Sequence, residues 1–288
     1  MKLDAYPPQE PLSGAGAAYQ ARVLALGEGI TGMESAYGAD PCQMLEVFGA
    51  HRPGGDVLLF FHGGGWTSGY KEWMSFMAPA FTAQGITFVS AGYRLAPRDV
   101  FPAGFDDAAD AFAWVVRHIA VYGADPQRVF VGGHSAGGHW AALLAATSAW
   151  RGKRGLPMGA IRGALPVSGV YRFDGAGGLS VRPRFLGPSS DADSNASPFL
   201  CLEHKCCPPM LITHGSRDFQ HLITQAQQMT FALRAAGVAV QTEVIEGADH
   251  FGASIASGQS VSGWPARAGA WMQSQVRSST NPTTGESS

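Results

Sequence analysis

The chain has 288 residues, of which 45% are hydrophobic and 15% are charged, and its formal net charge is −2. This composition can bury a large core, and the near-neutral charge without a basic block argues against a nucleic-acid partner. No apolar run approaches the roughly 20 residues that a membrane-spanning helix needs, and the opening MKLDAYPPQEP lacks the apolar core of a secretory signal. We therefore expect a soluble, cytoplasmic protein.

From the N-terminus onward, the chain is first rich in Pro, Ala and Gly, and we predict that residues 1–40 form a small cap. Short apolar segments then alternate with segments of helical apolar period. The predicted strands are 43–50, 57–63, 86–93, 128–133, 163–169, 210–215 and 240–247, the middle five being buried on both faces. The predicted helices are 72–84, 106–122, 136–149 and 222–236.

This alternation predicts an α/β protein with a mostly parallel central sheet and helices on both faces. Asp106 or Asp107 is the expected N-cap of the second helix, and Gly123 its end. Residues 41–277 would form this α/β domain, and the polar residues 278–288 a disordered tail.

Three of the four cysteines, Cys201, Cys206 and Cys207, lie close together beside His204, and Cys42 stands alone. A zinc site would need a second ligand pair at matching spacing, and the sequence has none. We expect buried or half-buried free thiols and no bound metal.

Residues 133–137 read GHSAG, a G-x-S-x-G pattern that arises easily by chance in a chain with 38 glycines. The structural context of the pattern distinguishes a chance match from a nucleophile, because a nucleophilic serine of this kind lies on a sharp turn between a strand and a helix. Ser135 has that context. A side chain at Gly133 or Gly137 would collide across so tight a turn, so we predict that Ser135 is a nucleophile and not an ordinary turn serine.

A nucleophilic serine needs a base and an acid that orients the base. Asp218 follows the predicted strand 210–215, and His250 follows 240–247. Because active sites of parallel sheets lie at the carboxyl ends of the strands, we predict that His250 takes the serine proton and that Asp218 orients its imidazole.

Other candidates are weaker. Asp174 is the second choice for the acid, and Asp249 would have difficulty reaching the ring of its neighbour His250. His214 and His221 are best interpreted as polar loop residues. His139, one turn into the helix after Ser135, is expected to pack or to line a wall.

Residues 60–66, FFHGGGW, place a glycine run directly after a buried strand. Such a run lets backbone N–H groups approach a developing negative charge, and the N–H of Ala136 would complete an oxyanion hole. A flexible linker is the alternative, but the flanking strand and Trp66 argue against it. Trp66 and Tyr70 are predicted at the mouth of the pocket.

Six motifs occur in an order that resembles a known family. They are HGGGW (62–66), AGYRLAP (91–97), FPAGFDDA (101–108), GGHSAGGH (132–139), HGSRD (214–218) and GADHF (247–251). Over roughly residues 42–275 the chain resembles the α/β-hydrolase fold, specifically the esterases related to hormone-sensitive lipase and the kynurenine-formamidase-like group.

The resemblance implies Ser135 as nucleophile, Asp218 as acid and His250 as base. It implies backbone donors at Gly64, Gly65 and Ala136. YRLAP looks like the lipase-related esterases, whose usual motif is GDSAGG, whereas His134 is nearer the formamidase-like form. Arg94, Asp106 and Asp107 are expected to support their loop as ion pairs or caps.

The predicted function is hydrolysis of small carboxylic esters through an acyl-enzyme, without a cofactor. The alternatives are an arylformamidase, an acyl transferase and a non-catalytic ligand-binding member of the fold. Predicted pocket residues are Trp66, Tyr70, Tyr171, Phe185 and Phe251, of which Tyr171 and Phe185 could equally belong to the core. The expected partner is a small ester or amide substrate, and a homodimer is compatible with the sequence.

Overall fold

The computed structural model describes residues 3–50, 54–173, 181–190 and 192–280. At its centre lies an eight-stranded sheet in the order β1-β2-β4-β3-β5-β6-β7-β8. The strands are β1 (Met33–Ala36), β2 (Met44–Phe48), β3 (Gly55–Phe61), β4 (Thr87–Ala91), β5 (Ala124–His134), β6 (Ile161–Val167), β7 (Met210–Gly215) and β8 (Val240–Ile245). Strands β3 to β8 are mutually parallel, whereas β1 and β2 join the sheet antiparallel. The predicted fold class is confirmed.

All seven predicted strands form, and the middle five are buried on both faces, as expected. Strand β1 was not predicted, and it lies within the segment 1–40 that we expected to be a cap. Three of its four residues are exposed, so it lacks the apolar signal from which a strand is recognised.

Helices flank the sheet. They are α1 (Gly14–Leu26), α2 (Ala78–Thr82), α3 (Ala103–His118), α4 (Ala136–Ala146), α5 (Ala149–Lys153), α6 (Arg182–Leu186), α7 (Asp193–Ala196), α8 (Gln220–Ala235), α9 (His250–Gly258) and α10 (Trp264–Thr280). Short 3-10 helices occupy Leu3–Ala5, Lys71–Met77, Ile119–Tyr122 and Ser260–Ser262. None of the helices in the described part of the chain is both long and apolar enough to cross a membrane.

The predicted N-cap at Asp106 or Asp107 is wrong. Helix α3 begins earlier, after Pro102, and no side chain caps it. Gly123 does end the segment, in a left-handed conformation with φ of 81°. At the C-terminus, the α10 backbone continues through Thr280, and the rest of the predicted tail, 281–288, lies outside the described residues.

Two apolar cores cover the two faces of the sheet, as the alternation of side chains along β3 illustrates. Val57, Leu59 and Phe61 face a core formed with α3, α4 and α8. Leu58 and Phe60 face the other, formed with α1, α2, α9 and α10. Since β3 to β8 run parallel, their carboxyl ends lie at one edge of the sheet. The predicted functional residues come just after these strand ends.

Candidate active site

Ser135 lies on the turn between β5 and α4 with φ of 55° and ψ of −115°. Such a backbone conformation is costly for a residue with a side chain, by about 1–3 kcal/mol. The neighbouring glycines permit it. A Cβ at Gly133 would lie 2.2 Å from the carbonyl carbon of Gly137, and a Cβ at Gly137 would lie 2.0 Å from the carbonyl oxygen of Phe61. The predicted collision across the turn is therefore present.

A continuous hydrogen-bond chain joins the three predicted catalytic side chains. His250 Nε2 lies 3.0 Å from Ser135 Oγ, and His250 Nδ1 lies 2.9 Å from Asp218 Oδ1. An ionised carboxylate can only accept, so Nδ1 carries the proton and Nε2 is free to accept the serine proton. This arrangement can activate a hydroxyl as a nucleophile.

Asp218 is held ionised by three donors. Ser168 Oγ donates to its Oδ2, and the backbone N–H of Phe219 donates to its Oδ1 at 2.7 Å. Burial disfavours the charged form and would raise the pKa of Asp218. The third donor, His250, outweighs burial by its hydrogen bond and its attraction, and the bonds from Ser168 and Phe219 add to this effect. Together they lower the pKa of Asp218 to about 2. The carboxylate therefore stays negative at neutral pH and can fix the imidazole.

Ser168 was not predicted. It follows β6, is buried, and adopts a left-handed φ of 51°. Strained residues of this kind cluster at functional sites. The sequence carried one usable signal for it, namely its place just after a buried strand that neighbours the one bearing Ser135.

His134 fixes the backbone of the candidate base. Its Nε2 donates to the carbonyl oxygen of His250 at 2.9 Å, and the two ring centroids are 4.7 Å apart. Burial, and then repulsion from His250, lower the pKa of His134 to about 3, so this ring is neutral at pH 7. On the same side of the sheet, Tyr19 of α1 stacks on Phe251 at 4.9 Å.

The glycine loop after β3 closes on itself beside Ser135. Gly64 and Gly65 have φ of 113° and 62°, and a Cβ at Gly64 would lie 1.9 Å from the carbonyl oxygen of Ser68. The Gly64 carbonyl accepts from the N–H of Ser68 at 3.0 Å and from its Oγ at 2.9 Å. No hydrogen bond to a described residue uses the N–H of Gly64, Gly65 or Ala136, so these donors are available to an oxyanion.

The N-terminal segment holds this loop from outside. The side-chain amide of Gln9 donates to the Gly69 carbonyl at 2.9 Å, and its oxygen accepts from the Gly69 N–H at 2.8 Å. The next residue, Glu10, forms an ion pair with Arg184 of α6 at 2.8 Å. The segment predicted as a cap thus contacts the candidate oxyanion loop.

The predicted pocket residues fall into different environments. Trp66 and Phe185 are buried and stacked with centroids 4.3 Å apart, whereas Tyr70 and Phe251 are half-buried. Tyr171 is fully buried and has no accessible surface. This burial favours the core role that the sequence left open for Tyr171 and Phe185, and the assignment of the five residues to a pocket stays a prediction.

His139 packs, as predicted. It accepts a hydrogen bond from Trp66 Nε1 through Nδ1 at 3.1 Å, and its Nε2 donates to the Ala196 carbonyl at 2.6 Å. Burial lowers the pKa of His139 to about 3. A neutral ring with one donor and one acceptor matches both partners.

The competing acids do not displace Asp218. Asp249 caps α9, accepting from the Gly252 N–H at 2.7 Å, and Asp174 lies outside the described residues. His214 contacts the Gly215 carbonyl at 2.9 Å, and His221 stacks on Phe219 at a centroid distance of 5.8 Å.

The expected structural role of the acidic pair in FPAGFDDA is confirmed. Arg94 donates to both carboxylate oxygens of the buried Asp107 at 2.6–3.1 Å, and its backbone N–H donates at 2.8 Å. Asp106 pairs with Arg154 at 3.4 Å. These contacts brace the loop and leave both carboxylates outside the hydrogen-bond chain of Ser135.

The four cysteines are free thiols. Burial raises the pKa of Cys201 to about 11, and that of Cys42 and Cys207 to about 12, so these three thiols remain protonated at neutral pH. Within residues 3–50, 54–173, 181–190 and 192–280, no group of three His, Cys, Asp or Glu side chains could hold a metal ion.

Comparison with known proteins shows the family of the fold. A family model described as the alpha/beta hydrolase fold matches residues 58–253. Esterase LipC of Mycobacterium tuberculosis is 31% identical over 69% of this chain and 54% of its own length. An ethyl acetate hydrolase of Pseudomonas putida is 31% identical over 68% of this chain and 65% of its own length. The chain thus spans about half to two thirds of these relatives.

Solved structures share the fold. An esterase from the hyperthermophilic archaeon Pyrobaculum calidifontis superposes with a TM-score of 0.75 at 20% identity, over 90% of this chain and 92% of that chain. A thermophilic carboxylesterase from a metagenomic library, EstE1, gives a TM-score of 0.73 at 22% identity, over 92% of this chain and 99% of that chain. With the family model covering most of its length, the chain belongs to the α/β-hydrolase fold family.

Proposed function

We propose that the chain is a serine hydrolase that cleaves small carboxylic esters through an acyl-enzyme on Ser135, with His250 as base and Asp218 as the orienting acid. The observation that carries the proposal is the unbroken hydrogen-bond chain from Ser135 Oγ through His250 to Asp218, at 3.0 and 2.9 Å. The names of the relatives, an ethyl acetate hydrolase among them, favour esters.

In the first step, Ser135 Oγ attacks the carbonyl carbon of the ester while its proton passes to His250 Nε2. Asp218 stabilises the resulting imidazolium. The carbonyl oxygen becomes an oxyanion and accepts hydrogen bonds from the backbone N–H groups of Gly64, Gly65 and Ala136. In comparable enzymes a single donor of this kind is worth about 10²–10³ in kcat.

In the second step, the bond between the carbonyl carbon and the leaving-group oxygen breaks, and His250 Nε2–H protonates that oxygen. Water then attacks the acyl-enzyme while Nε2 accepts its proton. The second tetrahedral intermediate collapses, the proton returns to Ser135 Oγ, and the carboxylic acid leaves. Every proton is accounted for by these residues and one water.

An arylformamidase would use the same steps with an amine as leaving group. His134 before the nucleophile is the feature that favours it, whereas the HGGGW sequence at 62–66 fits both groups. Acyl transfer would differ only in the acceptor, an alcohol in place of water.

The test is kcat/KM against acyl length from two to sixteen carbons in p-nitrophenyl esters, beside an N-formyl aryl amine and with added alcohol. We expect acetyl to butyryl esters to be cleaved faster than those of twelve or more carbons, because α1 and the N-terminal segment crowd the site. An open groove would add about 0.8 kcal/mol of binding per methylene, and a rise toward long chains would contradict the small-pocket proposal. If the formyl amide were cleaved faster than every ester, the proposed substrate would become the formamide.

A further inference from the structure

Phe219, the residue after Asp218, exposes a large aromatic surface beside the candidate base. Phe219 is 51% exposed, and its ring centroid lies 4.8 Å from that of His250. His221 extends this surface, since its ring is nearly parallel to that of Phe219, at 11° and 5.8 Å. Apolar surface exposed at a site usually marks where a ligand binds.

The backbone of Phe219 is fixed. Its N–H donates to Asp218 Oδ1 at 2.7 Å, and its carbonyl accepts from the N–H groups of Leu222 at 2.9 Å and Ile223 at 3.2 Å, at the start of α8. The ring therefore projects from a braced position next to the acid and not from a mobile loop tip. A residue placed in this way can contribute reproducible contacts to a bound molecule.

The reaction defines which part of the substrate meets this surface. His250 Nε2 must deliver its proton to the leaving-group oxygen, so that atom lies about 3 Å from Nε2. Among the described rings that pack against His250, His134 is buried, Phe251 is half-buried and Phe219 is the most exposed. Phe219 therefore offers the largest accessible ring surface to a leaving group that is hydrogen-bonded to Nε2 and extends toward solvent.

We propose that Phe219 is a specificity-determining residue that stacks on an aromatic leaving group, so that esters of aromatic alcohols are the favoured substrates. The inference rests on the proposed ester hydrolysis at Ser135. Burial, and then repulsion from His250, lower the pKa of His221, so the adjoining ring is neutral above pH 7 and adds aromatic surface without charge. Aromatic pairs of this kind correspond to about a two- to tenfold change in kcat/KM.

The test compares benzyl acetate with cyclohexylmethyl acetate, two esters of primary alcohols that are similar in size and differ in aromaticity. Their difference in leaving-group basicity is the same for every variant, so it cancels when ratios are compared. We expect the ratio of their kcat/KM values to fall two- to tenfold in Phe219→Leu and Phe219→Ala. Phe231→Leu is the matched control, because Phe231 lies on α8, the helix that Phe219 precedes, and is 75% exposed. This variant should leave the ratio unchanged.

Two results would overturn the inference. An unchanged ratio with near-native rates on both esters would show that the ring does not recognise the leaving group. An unchanged ratio with an equal loss on both esters would show that Phe219 only supports His250. If the unsubstituted enzyme cleaved neither of the two acetates nor any p-nitrophenyl ester, the proposed ester hydrolysis itself would be wrong. That result is distinct from the two results above, which leave ester hydrolysis intact.

Discussion

At the scale of single residues, hydrogen-bond geometry decides which carboxylate serves the candidate base. Asp249 adjoins His250 in sequence, yet its oxygen accepts from the Gly252 N–H and caps α9. Asp218 lies 32 residues before His250 and reaches its Nδ1. Chain order and strand ends predicted this contact, because parallel strands bring their carboxyl ends together, and the role of Asp218 as the acid stays a prediction.

Asp218→Asn should lower kcat by about 10⁴, because an amide favours the wrong imidazole tautomer. Asp249→Asn should keep near-native activity, since Asn caps a helix as well as Asp, whereas Asp249→Ala should cost about 1 kcal/mol of stability. Steady-state kinetics and urea unfolding of the three variants provide the check. A greater loss of kcat in Asp249→Asn than in Asp218→Asn would reverse the assignment.

Ser168 gives a second expectation at this scale. Ser168→Ala removes a donor to a buried carboxylate and should lower kcat about tenfold with little change in KM. Ser168→Gly removes the same hydroxyl but relieves the left-handed backbone, so it should be about 1 kcal/mol more stable than the alanine variant and equally slow. Native turnover in Ser168→Gly would mean that the hydroxyl does not position Asp218.

At the scale of elements, the strands and turns that have a strong apolar or glycine pattern could be predicted from the sequence. The strands of the sheet centre are continuous apolar runs and were found, whereas the exposed β1 was missed. Helix α9 was missed too, because HFGASIASG is rich in Gly and Ser, which are weak helix formers. The strand–turn–helix around Ser135 was predictable, since its glycines are required by contacts within the turn and with neighbouring β3.

Gly137→Ala should destabilise the fold by about 3 kcal/mol or more, because its Cβ would lie 2.0 Å from backbone atoms that cannot move. Gly152→Ala is the matched control. A Cβ there meets nothing within 4 Å, and Ala in place of Gly inside helix α5 should add up to about 1 kcal/mol. Urea unfolding of both variants gives the comparison, and equal stabilities would refute the tight turn.

At the scale of the whole molecule, three histidines, His62, His134 and His139, are buried in neutral form. Burial is the main cause that lowers the pKa of His62 to about 4, and that of His134 and His139 to about 3. The sequence shows these histidines but not their burial, which depends on helices and loops that pack from distant positions. The contacts of Ser168 and Phe219 with the site were missed for the same reason.

These histidines should make the fold sensitive to acid. Unfolded histidine has a pKa of about 6.5, so between about pH 6.5 and pH 4 the unfolded chain binds protons that the folded chain does not. Stability is therefore full above pH 6.5 and falls as the pH decreases, by about 1.4 kcal/mol per pH unit for each of the three residues. Urea unfolding at several pH values measures the slope.

His139→Gln provides the control for that slope. Glutamine keeps one donor for the Ala196 carbonyl and one acceptor for Trp66, but it does not titrate. The variant should take up one proton fewer on unfolding at pH 5, whatever its absolute stability. A slope identical to that of the unsubstituted protein would contradict neutral burial of His139.

The most direct test of the central claim is to identify the residue that an alkyl p-nitrophenyl phosphonate modifies. We expect one equivalent of adduct on the peptide that contains Ser135, in step with complete loss of esterase activity. Ser135→Ala should remain folded, unlabelled, and slower in kcat by about 10³–10⁶. An adduct on another residue, or near-native turnover in Ser135→Ala, would contradict the account.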